Sequence, residues 1–261
     1  MPSTQGPKLG VGIDALMRLR DLDPAHEEPD IAQATRTAEE AGADAIVLTL
    51  SSMPSVPNSA VLKTLLRTTT QANLATPLSP AMIDFVSMVC PHSVYFTVDH
   101  HVGDALQICH ISDASLQLLQ QAVCTLRSLS VRVVVSIDAS TDQLPTLSEI
   151  GITAVKLSTR RFSQTASSLQ AEDTNVLRTA VHAATRYGIA VHLGGGISYR
   201  NVVPLAAMGT ITQINVGHAI TARAVVVGWQ EAIKEMKALL VTAWAPSPNS
   251  ATANIGSFRH I

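Results

Sequence analysis

The chain has 261 residues, 46% of them hydrophobic and only 15% charged, with a formal net charge of −2. A charged share well under the usual figure of about 25%, without net basic charge, excludes a disordered chain and a binder that holds nucleic acid by neutralising phosphates. No run of about 18 apolar residues is present to span a membrane, and the length suits one α/β domain of (β/α)8 TIM-barrel size over residues 1–244.

Short apolar runs alternate with helical patterns along the chain. The first run covers residues 9–14 and continues directly into Asp14-Ala15-Leu16-Met17. A helix is expected from Asp30 as N-cap to just before Gly42. The second run is 45–50, followed by a helix capped at Asn58 and carrying Val61, Leu62, Leu65 and Leu66. The third run is 72–76. Ser79-Pro80 then reads as an N-cap with proline at the first helical position, opening a helix over 80–89.

The fourth run is 94–98, and an irregular stretch over 100–112 precedes a helix with Leu116, Leu119, Val123 and Leu126 at helical spacing. The fifth run, 131–137, is valine-rich and reads as a buried parallel strand; its helix ends near Gly151. The sixth run is 154–157, then a polar loop over 158–169 and a helix from about 173 to 187, stopped by Gly188. The seventh run, 189–193, ends in Gly194-Gly195-Gly196, and Ser198 is expected to start a short helix. The eighth run is 211–216, followed by Gly217 and helices through Trp244, with a mobile tail over 245–261.

Eight strands each followed by helix close into a barrel. A doubly wound open sheet is the alternative, but it wants a glycine-rich turn after its first strand, where this chain has Asp14-Ala15-Leu16-Met17. The polar residues 1–7 do not read as a secretory signal. Cys90, Cys109 and Cys124 show neither metal spacing nor an even count, so a cytoplasmic, reducing setting is expected. The low charge points to surface covered by subunit contacts, against the alternative of a mildly apolar monomer.

Barrel sites lie at the C-terminal strand ends. Gly194-Gly195-Gly196 lets a backbone approach a ligand closely, and Gly217-His218-Ala219 opens a helix whose N-terminus favours an anion. These two loops are the expected phosphate site, against the alternatives that the glycines only make turns and that His218 is a buried, hydrogen-bonded histidine. Alternation sets Lys156 opposite Val155 and Leu157. On an inward face it would bind an anion or form a Schiff base; otherwise it pairs with Asp138 or Asp14. Arg160-Arg161 is either an anion clamp or an exposed basic turn. Asp99-His100-His101, with Asp104 and His110, resembles a metal cluster, but neighbouring residues of an extended segment point opposite ways, so no metal is expected.

Several motifs in order resemble pyridoxine 5′-phosphate synthase. They are Gly10-Val11-Gly12-Ile13-Asp14 with Leu19-Arg20, Glu40-Ala41-Gly42-Ala43-Asp44-Ala45-Ile46, Asn73-Leu74 and Ser136-Ile137-Asp138-Ala139. Asn215-Val216-Gly217-His218-Ala219-Ile220, Arg223-Ala224, Gly228 and residues 232–236 complete the set. The resemblance implies a (β/α)8 TIM barrel with extra short helices, a cytoplasmic homo-octamer built from dimers, and no metal or organic cofactor. It implies condensation of 1-deoxy-D-xylulose 5-phosphate with 3-amino-2-oxopropyl phosphate, and thus a small phosphorylated substrate. Gly194, Gly195, Gly196, Gly217, His218 and Arg20 are carried over as phosphate- or substrate-binding residues, and Asp14 as catalytic.

The departures fall on the chemistry. The family's Asn–x–Asp–His is Gly12, Asp14 and Ala15; its His–x–Arg is Thr49 and Ser51; its third-strand Glu is Ala75. Its sixth-strand Glu is Lys156, and its Gly–His–Gly is Gly194-Gly195-Gly196. Each lost acid/base group removes a factor of roughly 10²–10⁴ in rate. Lys156 and His192 are the new titratable groups, expected to form an acid/base or Schiff-base pair. Three readings stand: a repurposed condensing or lyase-type enzyme, surviving family activity through substitute residues, and a non-catalytic ligand-binding or assembly relative.

Overall fold

A computed structural model describes residues 6–22, 28–51, 62, 71–102, 105–108, 111–164 and 170–244, with the side chains of 99–102, 105–108 and 170–171 left aside. Eight strands form a closed, all-parallel barrel. In order round the barrel they are β1 (Lys8–Gly12), β2 (Ala45–Thr49), β3 (Ala72–Pro77), β4 (Ser93–Thr97), β7 (Arg132–Ile137), β8 (Ala154–Ser158), β9 (Ala190–Gly194) and β10 (Ile211–Val216). The expected barrel is therefore the observed one, and the open sheet is excluded because β10 pairs with β1.

Alternation along the strands divides two regions of packing. Leu9, Val11, Val94, Phe96, Val133, Val135, Val155, Leu157, Val191 and Leu193 belong to one large core with the surrounding helices. Residues of the opposite parity point into the barrel. There Ala75, Tyr95, Val134 and Ala154 form a small separate cluster, beside buried Asn73, Ser93, Ser136, His192 and Gln213. A Cβ on Gly10 would collide with the amide groups of Asn215 and Gln213, so β1 must carry glycine where these side chains cross the lumen.

The helix starts follow their capping residues. Asp30 Oδ1 accepts from the Ala32 and Gln33 amides at 2.9 and 3.1 Å, starting α2 (Ile31–Glu40). Ser79 Oγ accepts from the Met82 amide at 3.3 Å, with Pro80 opening α3 (Pro80–Val89). Gly42 and Gly188 take positive φ values of +103° and +69° after their helices, the left-handed conformation that favours glycine. The helix expected after Asn58 and the tail 245–261 lie outside the described residues, Leu62 excepted.

Four segments differ from expectation. Helix α1 (Asp14–Leu22) follows β1 at once, an element that the apolar pattern does not announce. The stretch 100–112 contains an antiparallel pair, β5 (Asp99–Val102) with β6 (Ala105–Ile108). Its sequence signal is Gly103-Asp104, a favoured two-residue hairpin connection, which is masked by the lack of apolar alternation in Asp99-His100-His101. The polar stretch after β8 contains α6 (Arg160–Gln164), anchored by buried Phe162. Ser198 closes a turn through its amide on Asn201 Oδ1 at 2.7 Å, and the helix there, α8 (Val202–Ala206), begins only afterwards.

The remaining helices are α4 (Asp113–Ser128), α5 (Leu144–Glu149), α7 (Gln170–Arg186), α9 (His218–Val227) and α10 (Trp229–Trp244). The break between the last two falls at Gly228, φ +88°. Among the described residues, no helix is long and apolar enough to cross a membrane.

Candidate active site

The C-terminal strand ends enclose a cavity of about 450 Å³. Its wall includes Asp14, Thr49, Ala75, Tyr95, Lys156, Arg160, the three consecutive glycines, Asn215, Gly217 and His218. The inward parity of Lys156 on β8 brings it here, in register with His192 on β9. Its Nζ lies 5.9 Å from the centroid of the Tyr95 ring, at the outer limit of a cation–π contact.

Tyr95 forms the floor. Its ring crosses the lumen from β4 and its hydroxyl reaches His192 Nδ1 at 2.7 Å. Gln213 Nε2 donates to the same hydroxyl at 3.2 Å and to Asn215 Oδ1 at 2.7 Å. Burial, with the charges of Arg132, Lys8 and Lys156 acting the same way, pushes the His192 pKa down to about 3. The imidazole is neutral at neutral pH, and its tautomer sets the direction of the Tyr95 bond: with Nδ1 bare the phenol donates to it, and the hydroxyl oxygen accepts from Gln213. Burial raises the phenol's own pKa, against smaller opposing effects of the Asn215 amide, Arg132 and the Gln213 amide. His192 is only 2% exposed; it lies behind Tyr95 and is not part of the cavity wall.

Asp14 stands at the start of α1, against the end of β2. Its Oδ1 accepts from the Thr49 amide at 2.6 Å and its Oδ2 from the Thr49 hydroxyl at 3.1 Å. Burial raises its pKa; the Thr49 bonds and the charges of Arg18 and Lys156 offset part of that rise. Thr49 therefore orients the carboxylate of Asp14, the aspartate expected from the sequence to be catalytic.

The glycine loop is preformed. Gly195 and Gly196 take φ values of +109° and +74°, and a Cβ on Gly196 would meet Ser163 at 2.6 Å. The Gly195 carbonyl accepts from Thr159 Oγ1 at 2.6 Å and Ser163 Oγ at 3.2 Å. The Gly196 carbonyl accepts from Asn201 Nδ2 at 3.1 Å. Across the mouth, a Cβ on Gly12 would meet Gly217 Cα at 3.0 Å, so β1 and the start of α9 approach closely. The first intrahelical bonds of α9 run from Ile220 and Thr221 to the Gly217 carbonyl. The amides of His218 and Ala219 precede them at the positive end of the helix dipole. His218 is exposed, not a buried structural histidine.

The paired arginines separate: Arg160 lines the cavity, whereas Arg161 binds Asp173 at 2.9 Å. Arg20 occupies the last turn of α1 and is half-buried, away from the cavity wall. Asp138 also stands outside that wall; burial raises its pKa and Arg161 offsets part of the rise. Asp99, His100 and His101 belong to β5, whose side chains lie outside the described residues, as do Asp104 and His110. Sequence reasoning missed Tyr95 and Gln213. The available signal was parity: Tyr95 alternates with outward Val94 and Phe96, and Gln213 and Asn215 with Ile214 and Val216.

Residues 9–242 match the sequence model of the family described as "Pyridoxal phosphate biosynthesis protein PdxJ". Pyridoxine 5′-phosphate synthase of Magnetococcus marinus is 31% identical over 236 residues, covering 89% of this chain and 96% of that protein. Solved structures at lower identity share the fold. A mutant tryptophan synthase α-subunit of Pyrococcus furiosus superposes with a TM-score of 0.55 at 13% identity, over 92% of this chain and 98% of its own. A chain of the Amycolatopsis orientalis BexX/CysO complex gives 0.58 at 15% identity, over 93% of each.

Proposed function

The chain belongs to the PdxJ family of pyridoxal phosphate biosynthesis proteins, and from that premise we propose that its mouth binds a small phosphorylated ketone whose carbonyl reacts with Lys156. The family is one of synthase-type enzymes acting in vitamin B6 biosynthesis. The observation that carries the reading is that Lys156 shares one cavity with the glycine loop, the α9 N-terminus and Arg160. A phosphate held at the loops would leave the rest of a short ligand beside Nζ.

In the proposed step the neutral amine attacks the carbonyl carbon, and the oxygen takes up a proton. The carbinolamine then loses its hydroxyl as water to give an imine. Asp14, with its raised pKa and Thr49 bonds, is the group at the mouth to carry those protons. His192 acts through Tyr95 and not on the ligand. A homo-oligomer, with dimers as its unit, is part of the same proposal.

Borohydride reduction in the presence of a keto phosphate such as dihydroxyacetone phosphate tests the step. The expected product is a stable adduct on Lys156, absent in Lys156→Arg. Saturable binding of that keto phosphate without any adduct would instead favour the non-catalytic reading, which draws on the methyl of Ala75 at a position where the resemblance has a Glu. Complementation of a pyridoxine auxotroph separates surviving family activity from both.

A further inference from the structure

The opposite end of the barrel gathers cations. Lys8 opens β1 and Arg132 opens β7, both on the inward parity. His92 stands just ahead of β4; its amide donates to the Ala72 carbonyl at 2.9 Å and its own carbonyl accepts from the Arg132 amide at 3.2 Å. Arg127, in the last turn of α4, donates from Nη2 to the Gly151 carbonyl at 3.3 Å. His92, Arg127 and Arg132 line one cavity of about 220 Å³ with Ser130 and Thr153. The ion pairs among the described residues join Arg161 to Asp173, Arg223 to Glu235 and Lys237 to Asp44. None of them neutralises this cluster. Its effect is felt locally: after burial, the charges of Arg132 and Lys8 lower the His92 pKa.

Like charges gathered with no carboxylate partner among the described residues repel one another, and a chain with 20 acidic groups against 18 basic ones has carboxylates enough to avoid that. We propose that this cavity is a second anion site, built for the phosphate group of a small molecule. Arginine presents paired N–H donors matched to phosphate oxygens, and the Arg127 guanidinium is already oriented by Gly151. The Ser130 and Thr153 hydroxyls add neutral donors. The volume suits one phosphate group, with any organic part left in solvent. The site is separate from the mouth, because the two cavities lie at opposite strand ends.

The test follows the His92 ring proton by NMR on the whole chain, assigned with His92→Gln. Inorganic phosphate and glycerol 3-phosphate are titrated separately, with ionic strength held constant by sodium chloride. Saturable shifts with both are expected, and the His92 midpoint should rise, because the bound anion offsets Lys8, Arg127 and Arg132. Tighter binding of the ester identifies a phosphate monoester as the ligand; equal binding identifies free phosphate. Arg132→Gln and, on the exposed helix end, Arg127→Gln should each weaken binding about 10-fold or more, while Arg160→Gln at the mouth leaves it unchanged. A His92 signal that does not respond, that responds equally to chloride, or that keeps its affinity in folded Arg127→Gln overturns the proposal.

Discussion

Tyr95 is held between a neutral histidine nitrogen and an amide donor, so its hydroxyl oxygen accepts from Gln213 whichever tautomer His192 adopts. Tyr95→Phe keeps the ring under Lys156 but leaves His192 Nδ1 and a Gln213 N–H short of a partner. A loss of about 1–3 kcal/mol is expected for such buried groups, measured by urea denaturation at neutral pH. The His192 pKa of about 3 lies below the ordinary value near 6.5, so the unfolded chain takes up the proton first. The stability contribution is complete above about pH 6.5 and is lost as pH falls towards 3. Between pH 7 and pH 5 this one group should cost about 2 kcal/mol. Paired denaturation curves at the two pH values should show that difference in the native chain and its disappearance in His192→Gln.

Two glycines at the ends of elements separate crowding from backbone strain. Gly10→Ala in β1 would drive a Cβ into the Asn215 and Gln213 amides, so overpacking of about 1–3 kcal/mol is expected, with loss of the bond between them. Gly188→Ala after α7 meets nothing within 4 Å but keeps φ +69°, so it should cost only about 1 kcal/mol. Thermal unfolding of the two variants ranks them. The barrel was legible because valine-rich runs and caps such as Asp30 and Ser79 state their elements locally. Lys156 was legible in part, since parity sets it opposite Val155 and Leu157 but does not say which of the two faces lines the lumen. Tyr95 and Gln213 were not, because their partners come from strands distant in the chain and the pattern Val94-Tyr95-Phe96 looks wholly apolar. The pair β5–β6 escaped because Asp99-His100-His101 carries no apolar alternation, and α1 because it follows a strand without a linker.

Low charge acquires a location on the scale of the whole molecule. Leu22 on α1 is 81% exposed, and Val225 and Val226 on α9 are 84% and 78% exposed, on two helices that touch one another. Such surface is costly in water and supports the proposed homo-oligomer. Light scattering should find the native chain as a multimer, and Val225→Asp with Val226→Asp should reduce its mass without changing the far-ultraviolet dichroism. The floor set by Tyr95 has a consequence for the two ends of the barrel. Molecules cannot pass it, yet Arg132 below and Lys156 above both act on the imidazole behind it. The lumen is thus an insulator rather than a conduit. A charge gained or lost at either opening shifts the potential at His192 between them, with no hinge to swing and no particle to travel.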